Sequence, residues 1–253
     1  MADSWAGLRV VDVSNPEAPL EVGFVDTPGE AVGVAVAGSF AYVADYEYGL
    51  RVVDVSNPEA PVEVGFVDTP GEARGVAVAG SYAYVADGYY SGLRVVDVSN
   101  PEAPVELGFV DTWGEARVVA VAGAHAYVVG IGGGWEPRGW LWVIDVSVPS
   151  TPIVVGDYPM SPGMPPFGVA VAGAYAYVAD SWAGLRVVDV SDPAAPVEVG
   201  FYDTPGEAWG VAVSGGYVHL ADGSAGLAIF RECPIFSDGF ESGDTSAWSA
   251  TVP

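Results

Sequence analysis

The sequence predicts an all-β chain made of repeated four-stranded antiparallel sheets, and three observations predict it. First, the segment GLRVVDVSNPEAP at 7–19 recurs at 49–61 and 92–104 and returns as GLRVVDVSDPAAP at 184–196. Asp12, Asp54, Asp97, Asp145 and Asp189 mark this repeat at spacings of roughly 42 to 48 residues, a period typical of blade-like arrays. Second, larger apolar residues alternate with small ones, as Val76, Val78, Tyr82 and Tyr84 do, which is the two-residue period of strands and not the helical one. Third, turn chemistry punctuates each repeat. Ala79-Gly80-Ser81 closes a tight hairpin, and Ser99-Asn100-Pro101 opens a second turn because Pro cannot continue a ladder. Four short strands per repeat, stacked radially, leave only short protected edges, so the predicted architecture is a β-propeller.

Taken in order, residues 73–112 give one full set of strands at Gly75–Ala79, Tyr82–Ala86, Leu93–Val98 and Val105–Val110, termed A to D. Four complete sets occupy residues 31–204, preceded by strands C and D at 8–26 and followed by A, B and C at 210–230. Strand exchange between the two incomplete ends gives five blades most naturally; the second strand C at 227–230 leaves six blades, or a truncated longer ring, open. The propeller is thus expected over 1–231, with 232–253 a tail outside the repeat. No segment supports a long helix. The uncharged stretch from Val118 to Gly134 is broken by His125 and glycines and reads as two strands, not a membrane span. Residues 1–7 read MADSWAG where 178–184 read VADSWAG, so Met1 stands in the place of a strand valine. The reading frame is expected to extend upstream, where any leader would lie.

Composition narrows the function. Hydrophobic residues are 51% and charged residues 16% of 253, which is neither a disordered chain nor a charged helical one. The 33 acidic residues face 8 basic ones, all Arg, for a net charge of −25. Such a field repels phosphate backbones and anionic lipid, so neither nucleic acid nor direct membrane insertion is expected; cations and neutral ligands stay open. The lysine-free acidity fits salty surroundings or a GC-rich genome equally. Cys233 is the only cysteine, so no intrachain disulfide forms.

LRVVDVSNP in three repeats and LWVIDVS at 141–147, partnered by VAVAG-x-YAYVAD hairpins, resemble the LVIVD repeat. The resemblance implies a propeller in a secreted or cell-surface bacterial or archaeal protein, whose biochemical role is generally undefined. An extracellular or surface location is therefore expected. In the tail, FSDGFESGDTSAWS resembles a segment that follows repeats in secreted bacterial proteins, as a short ending or as the start of a further domain.

Because strand direction alternates, the B–C and D–A loops share one face and the A–B and C–D turns share the other. The turn face is nearly invariant, and the strand-C Asp is expected to cap the turn that follows it. The loop face varies. Its B–C loops carry Trp5, Tyr46, Tyr48, Tyr89, Tyr90, Trp135, Arg138, Trp140 and Trp182, and its D–A loops carry Asp26, Glu30, Asp68, Glu72, Asp111, Glu115, Asp203 and Glu207. The start of strand A reads Val32, Arg74, Arg117, Phe167 and Trp209 in turn. Aromatic faces beside carboxylates suit sugars, cationic groups or protein hot spots; the plainer alternative is that these rings cover loop backbone. The fourth repeat departs most, with a lengthened loop at Gly130–Gly139 and DYPMSPGMPPF at 157–167, where Met160 and Met164 offer an adaptable apolar surface.

Catalytic signatures are absent from the sequence. Gly223-Ser224-Ala225-Gly226 is one residue short of a nucleophile elbow, and GIGGGW at 130–135 lacks the last glycine of a dinucleotide fingerprint. His125 and His219 each replace a packing aromatic of other repeats, which favours a core role over a metal or acid–base one. The leading expectation is a non-enzymatic surface binding module without a cofactor, as a monomer or part of a larger chain, taking a glycan or protein partner. Two alternatives accompany it. One is a calcium-assisted hydrolase or lactonase, with carboxylates as oxygen ligands, Asp238, Glu241 and Asp244 of the tail being a further candidate calcium set. The other is a structural segment with no discrete ligand.

Overall fold

Each repeat converts its alternation into the same ladder. The computed structural model describes residues 1–89, 91–132, 138–162 and 164–232. The first repeat supplies β1 (Leu8–Asp12) and β2 (Leu20–Val25). The second gives β3 (Gly33–Ala37), β4 (Phe40–Ala44), β5 (Leu50–Asp54) and β6 (Val62–Val67). The third gives β7 (Gly75–Ala79), β8 (Tyr82–Ala86), β9 (Gly88–Tyr89), β10 (Leu93–Asp97) and β11 (Val105–Val110). The fourth gives β12 (Gly114–Ala122), β13 (His125–Gly132), β14 (Arg138–Asp145) and β15 (Ile153–Pro162). The fifth gives β16 (Gly168–Ala172), β17 (Tyr175–Ala179), β18 (Leu185–Asp189) and β19 (Val197–Tyr202), and the last gives β20 (Gly210–Ser214), β21 (Tyr217–Ala221) and β22 (Leu227–Arg231). Among the described residues the one helical turn is Gly223–Ala225.

The chain divides into two compact units, Met1–Ala126 with Asp145–Ile153, and Tyr127–Ile144 with Val154 onward. In the first, β3 to β6 and β7, β8, β10, β11 are four-stranded antiparallel meanders, and β9 pairs with β12. In the second, β16 to β19 repeat the meander and β20 to β22 form three strands of it. The strands fall into six sheets, one per repeat. β1 and β2 make a sheet of two, and β20 to β22 a sheet of three, so the two incomplete ends are not merged by strand exchange. Six separate sheets fit the alternatives of six blades or a truncated ring and not the five-blade count, because the last repeat already carries its own strand C in β22.

Burial follows the alternation. In the first unit, Tyr42, Leu50 and Val52 of one blade pack with Ala83, Val85 and Val96 of the next. In the second, Tyr177, Leu185 and Val187 pack with Val218, Leu220 and Phe230. Burying large apolar side chains on both sides of each sheet contributes on the order of 1.5–3 kcal/mol apiece.

Two devices recur in the C–D pairs, a turn cap in all five and a strand-D bulge in β2, β6, β11 and β19. The strand-C aspartate accepts the N–H of the residue two positions on, at 2.8 Å for Asp12–Ser14, Asp54–Ser56, Asp97–Ser99, Asp145–Ser147 and Asp189–Ser191. The expected turn cap is therefore present in all five, and these hydrogen bonds hold the carboxyls of Asp12, Asp54, Asp97 and Asp145 below the usual Asp range. Strand D carries a bulge, seen where the register slips between Val52 and Val53 opposite Gly65 and Glu63. A Cβ on Gly65 would sit 2.2 Å from the Pro101 carbonyl oxygen of the next repeat's turn, and one on Gly23 at 2.2 Å from that of Pro58. The glycine of VEVGF is thus required by blade-to-blade approach.

Candidate functional site

The loop face is built by a latch. In β4, β8 and β21 the Ala-Asp that ends strand B places a fully or almost fully buried carboxylate under the preceding D–A loop. Thr27 and Thr204 donate to Asp45 and Asp222 at 2.5 Å, Thr69 donates to Asp87, and the N–H groups of Gly29, Gly71 and Gly206 donate to the second oxygens at 2.9 to 3.1 Å. Asp180 accepts from Ser161 N–H instead, at 3.2 Å. The residue after Asp45 and after Asp180 crosses to the following D–A loop: Tyr46 exchanges both backbone bonds with Ala73, and Ser181 bridges to Ala208. Tyr46 and Ser181 take φ near +51 to do so.

Strand-C arginines then pair with the acids, offsetting part of their charge. Arg94 lies 3.2 Å from Asp87 and 3.2 Å from Glu106, with its guanidinium 4.5 Å from the Phe109 ring centroid. Arg51 reaches Asp45, Glu63 and Asp68 over Phe66, and Arg186 reaches Asp180, Glu198 and Asp203 over Phe201. Burial raises the carboxyls of Asp87 and Asp180, opposed by these hydrogen bonds and arginines. Glu30 and Glu207 accept from Ser4 and Ser181. Of the expected acidic rim, Glu30, Asp68, Glu72, Glu115, Asp203 and Glu207 each have an arginine or hydroxyl partner within the protein, while the side chains of Asp68 and Asp203 stay 67% exposed.

The predicted residues separate into two groups. In the first unit, Arg74 Nε lies 2.9 Å from Glu115 and its Nη2 2.6 Å from Glu72, while Arg117 Nη2 lies 3.1 Å from Glu115. Glu115 is fully buried. The Tyr46 hydroxyl bonds to Glu72 and the Tyr89 hydroxyl to Glu115, which raises both phenols. Arg74 also lies 5.1 Å from the Tyr46 ring centroid. Tyr48 is exposed yet covers Gly29, whose Cβ would meet its ring at 2.6 Å, so it matches the backbone-covering alternative. Trp5 is 77% exposed.

In the second unit, Phe167 and Trp209 stack at 4.5 Å between centroids, Trp209 exposed. Trp182 is 65% exposed. Half-buried Trp140 stacks on fully buried Trp142 at 6.4 Å, and Arg138 is half-buried at the start of β14. Met164 is exposed, but Met160 is buried and does not belong to an apolar surface. His219 lies 3.3 Å from Ser214 Oγ across β20 and β21. Tyr90, Trp135 and the tail set Asp238, Glu241 and Asp244 lie outside the described residues. Among the described residues no group of three or more His, Cys, Asp and Glu is arranged to hold a metal ion, and no helix is long and apolar enough to cross a membrane.

Sequence reasoning missed Trp113, 62% exposed in the left-handed region at φ +55. Its signal was the single departure DTWGE from DTPGE. The neighbouring Thr112 hydroxyl is buried without a hydrogen-bond partner among the described residues, and the fourth repeat has Gly130 at the latch position.

No curated protein matches the chain in sequence. Among solved structures, a periplasmic gluconolactonase of Pseudomonas aeruginosa matches with a TM-score of 0.71 at 17% identity over 88% of this chain and 72% of that one. Hydrazine synthase of Kuenenia stuttgartiensis matches at 0.68, 17% identity, 88% and 70% coverage. A Bacteroides uniformis protein provisionally named a 6-phosphogluconolactonase matches at 0.74, 14% identity, 93% and 77% coverage. At such identity these similarities bear on fold alone. The LVIVD repeat model matches residues 1–27, 28–69, 70–112, 113–159, 167–204 and 205–230, and with its all-β blades the chain belongs to the LVIVD-repeat family of β-propeller architecture.

Proposed function

We propose that the chain is a non-enzymatic binding module, working outside the cell or at its surface without a cofactor, that takes a glycan or protein partner on its loop aromatics. One observation supports this above others: Trp113, Trp182 and Trp209 are exposed on loops that vary between repeats, while Glu115, Asp203 and Glu207 are each tied to an arginine or a hydroxyl. Acids already paired within the protein add less attraction for a ligand than free ones, so the recognition surface in this reading is aromatic, large in contact area and low in conformational freedom lost on binding.

The test is a glycan array and a pull-down from a cell-envelope fraction, with the full chain and a Trp113→Ala/Trp182→Ala/Trp209→Ala variant. Partners captured by the parent chain and lost by the variant support the reading. Partners captured equally by both sink it. A thermal melt is expected to be the same with calcium and with chelator; a chelator-dependent shift would favour a metal-assisted role instead.

A further inference from the structure

Residues 111–115 depart from their counterparts in one piece. Trp113 stands where Pro28, Pro70 and Pro205 stand in the other Asp-Thr-Pro-Gly-Glu loops, in a backbone conformation that Pro cannot adopt. Ser4, Tyr46 and Ser181 share its positive φ but occupy one repeated B–C position, so among the described residues Trp113 is the one bulky residue held there outside the repeat's own geometry. Thr112 before it has lost the latch. Two residues on, buried Glu115 is gripped by Arg74, Arg117 and the Tyr89 hydroxyl. β9 pairs exposed Tyr89 directly with Glu115, two residues beyond Trp113 on the strand that begins at Gly114. The architecture asks for none of this, since Pro satisfies the same loop elsewhere.

We propose that Trp113 and Tyr89 form a stacking site for a neutral saccharide chain. Sugar rings present flat C–H faces to indole and phenol, and their hydroxyls pair with planar guanidinium and carboxylate edges. Arg74 and Arg117, both partly exposed near the Tyr89 hydroxyl, are matched one for one by Glu72 and Glu115, and Asp111, which accepts the Trp113 N–H, adds one negative charge. In a chain of net charge −25, an anionic sugar gains nothing there and is repelled at long range. This site rests on the binding-module reading above and narrows its partner to one class.

The experiment titrates the full chain with cellohexaose, xylohexaose, mannohexaose and hexagalacturonate, followed by tryptophan fluorescence and calorimetry. At least one neutral hexasaccharide is expected to bind, with affinity about tenfold or more weaker in Trp113→Ala and in Tyr89→Ala, near parental in Tyr89→Phe, and insensitive to salt. Near-UV circular dichroism checks that each variant is folded. Failure of all three neutral chains to bind, preference for hexagalacturonate, or undiminished binding by Trp113→Ala overturns the site. If the triple variant loses its partners while Trp113→Ala keeps them, the site is wrong and the broader reading stands.

Discussion

Thr69 donates its hydroxyl hydrogen to the buried carboxylate of Asp87, whereas Thr112, just as inaccessible and at the same place in its own loop, donates to no described residue. The same substitution should therefore have opposite consequences in two repeats. Thr69→Val removes a donor from a buried charge and should cost about 1–3 kcal/mol. Thr112→Val keeps the shape and removes an unpartnered buried hydroxyl, and should be neutral or stabilising. Urea denaturation of the two variants checks this; equal losses would mean that both hydroxyls are partnered.

The fourth repeat abandons the ion network as a set. Where the third has Asp87, Arg94, Glu106 and Phe109, the fourth has Gly130, Trp142, Val154 and Asp157. Removing one member of a buried ion pair leaves an uncompensated charge, while replacing all of them with packed apolar groups does not. Arg94→Leu, which strands Asp87, should cost about 3 kcal/mol or more. Trp142→Ala, which opens a cavity at a fully buried indole, should cost about 3–5 kcal/mol. Trp182→Ala, at an exposed ring, should shift stability by no more than about 0.5 kcal/mol. Chemical denaturation midpoints rank the three.

These contrasts also explain what was legible in the sequence. Asp54 and its four counterparts could be read as turn caps because the donor is two residues away. The role of Asp87 could not, since Thr69, Gly71 and Arg94 are brought to it from three other segments. Likewise Phe167 and Trp209 were recognisable as unusual strand-A residues, but only the approach of their two blades shows them stacked. Strand period, turn residues and blade content are local properties; the engagement of the acids by Arg51, Arg94 and Arg186 depends on pairing across strands. Gly130, Trp142, Val154 and Asp157 did carry a readable signal, their joint departure from the repeat.

The two carboxylate classes should respond to pH with opposite sign. Asp97 is held low by the Ser99 hydrogen bonds, so its stabilisation is present above the unfolded Asp value of about 4 and is lost as pH falls through its folded value. Asp87 is held high by burial, so it favours the folded state progressively more as pH falls from above its folded value toward the unfolded one. The stability difference between the parent chain and Asp97→Asn should shrink between about pH 5 and pH 2. Carboxyl-carbon NMR titration should place Asp97 below and Asp87 above the usual Asp range. A difference that grows on acidification would contradict the cap.

Glycine substitution separates blade packing from chain entropy. Gly65 faces the Pro101 carbonyl oxygen, the Pro104 ring and Glu102, with a Cβ placed 2.2 to 3.1 Å from all three. Backbone on a rigid Asn-Pro turn cannot withdraw without opening the C–D turn of the next repeat, so Gly65→Ala should destabilise by about 1–3 kcal/mol. At Gly210, in β20, a Cβ meets nothing within 4 Å and the backbone is not left-handed. Gly210→Ala should then stabilise by about 0.4–1 kcal/mol through lost freedom of the unfolded chain. Denaturation of both variants gives the comparison. A neutral Gly65→Ala would show that the turn of one repeat is free to leave strand D of the one before it, against the blade contact that fixes this glycine.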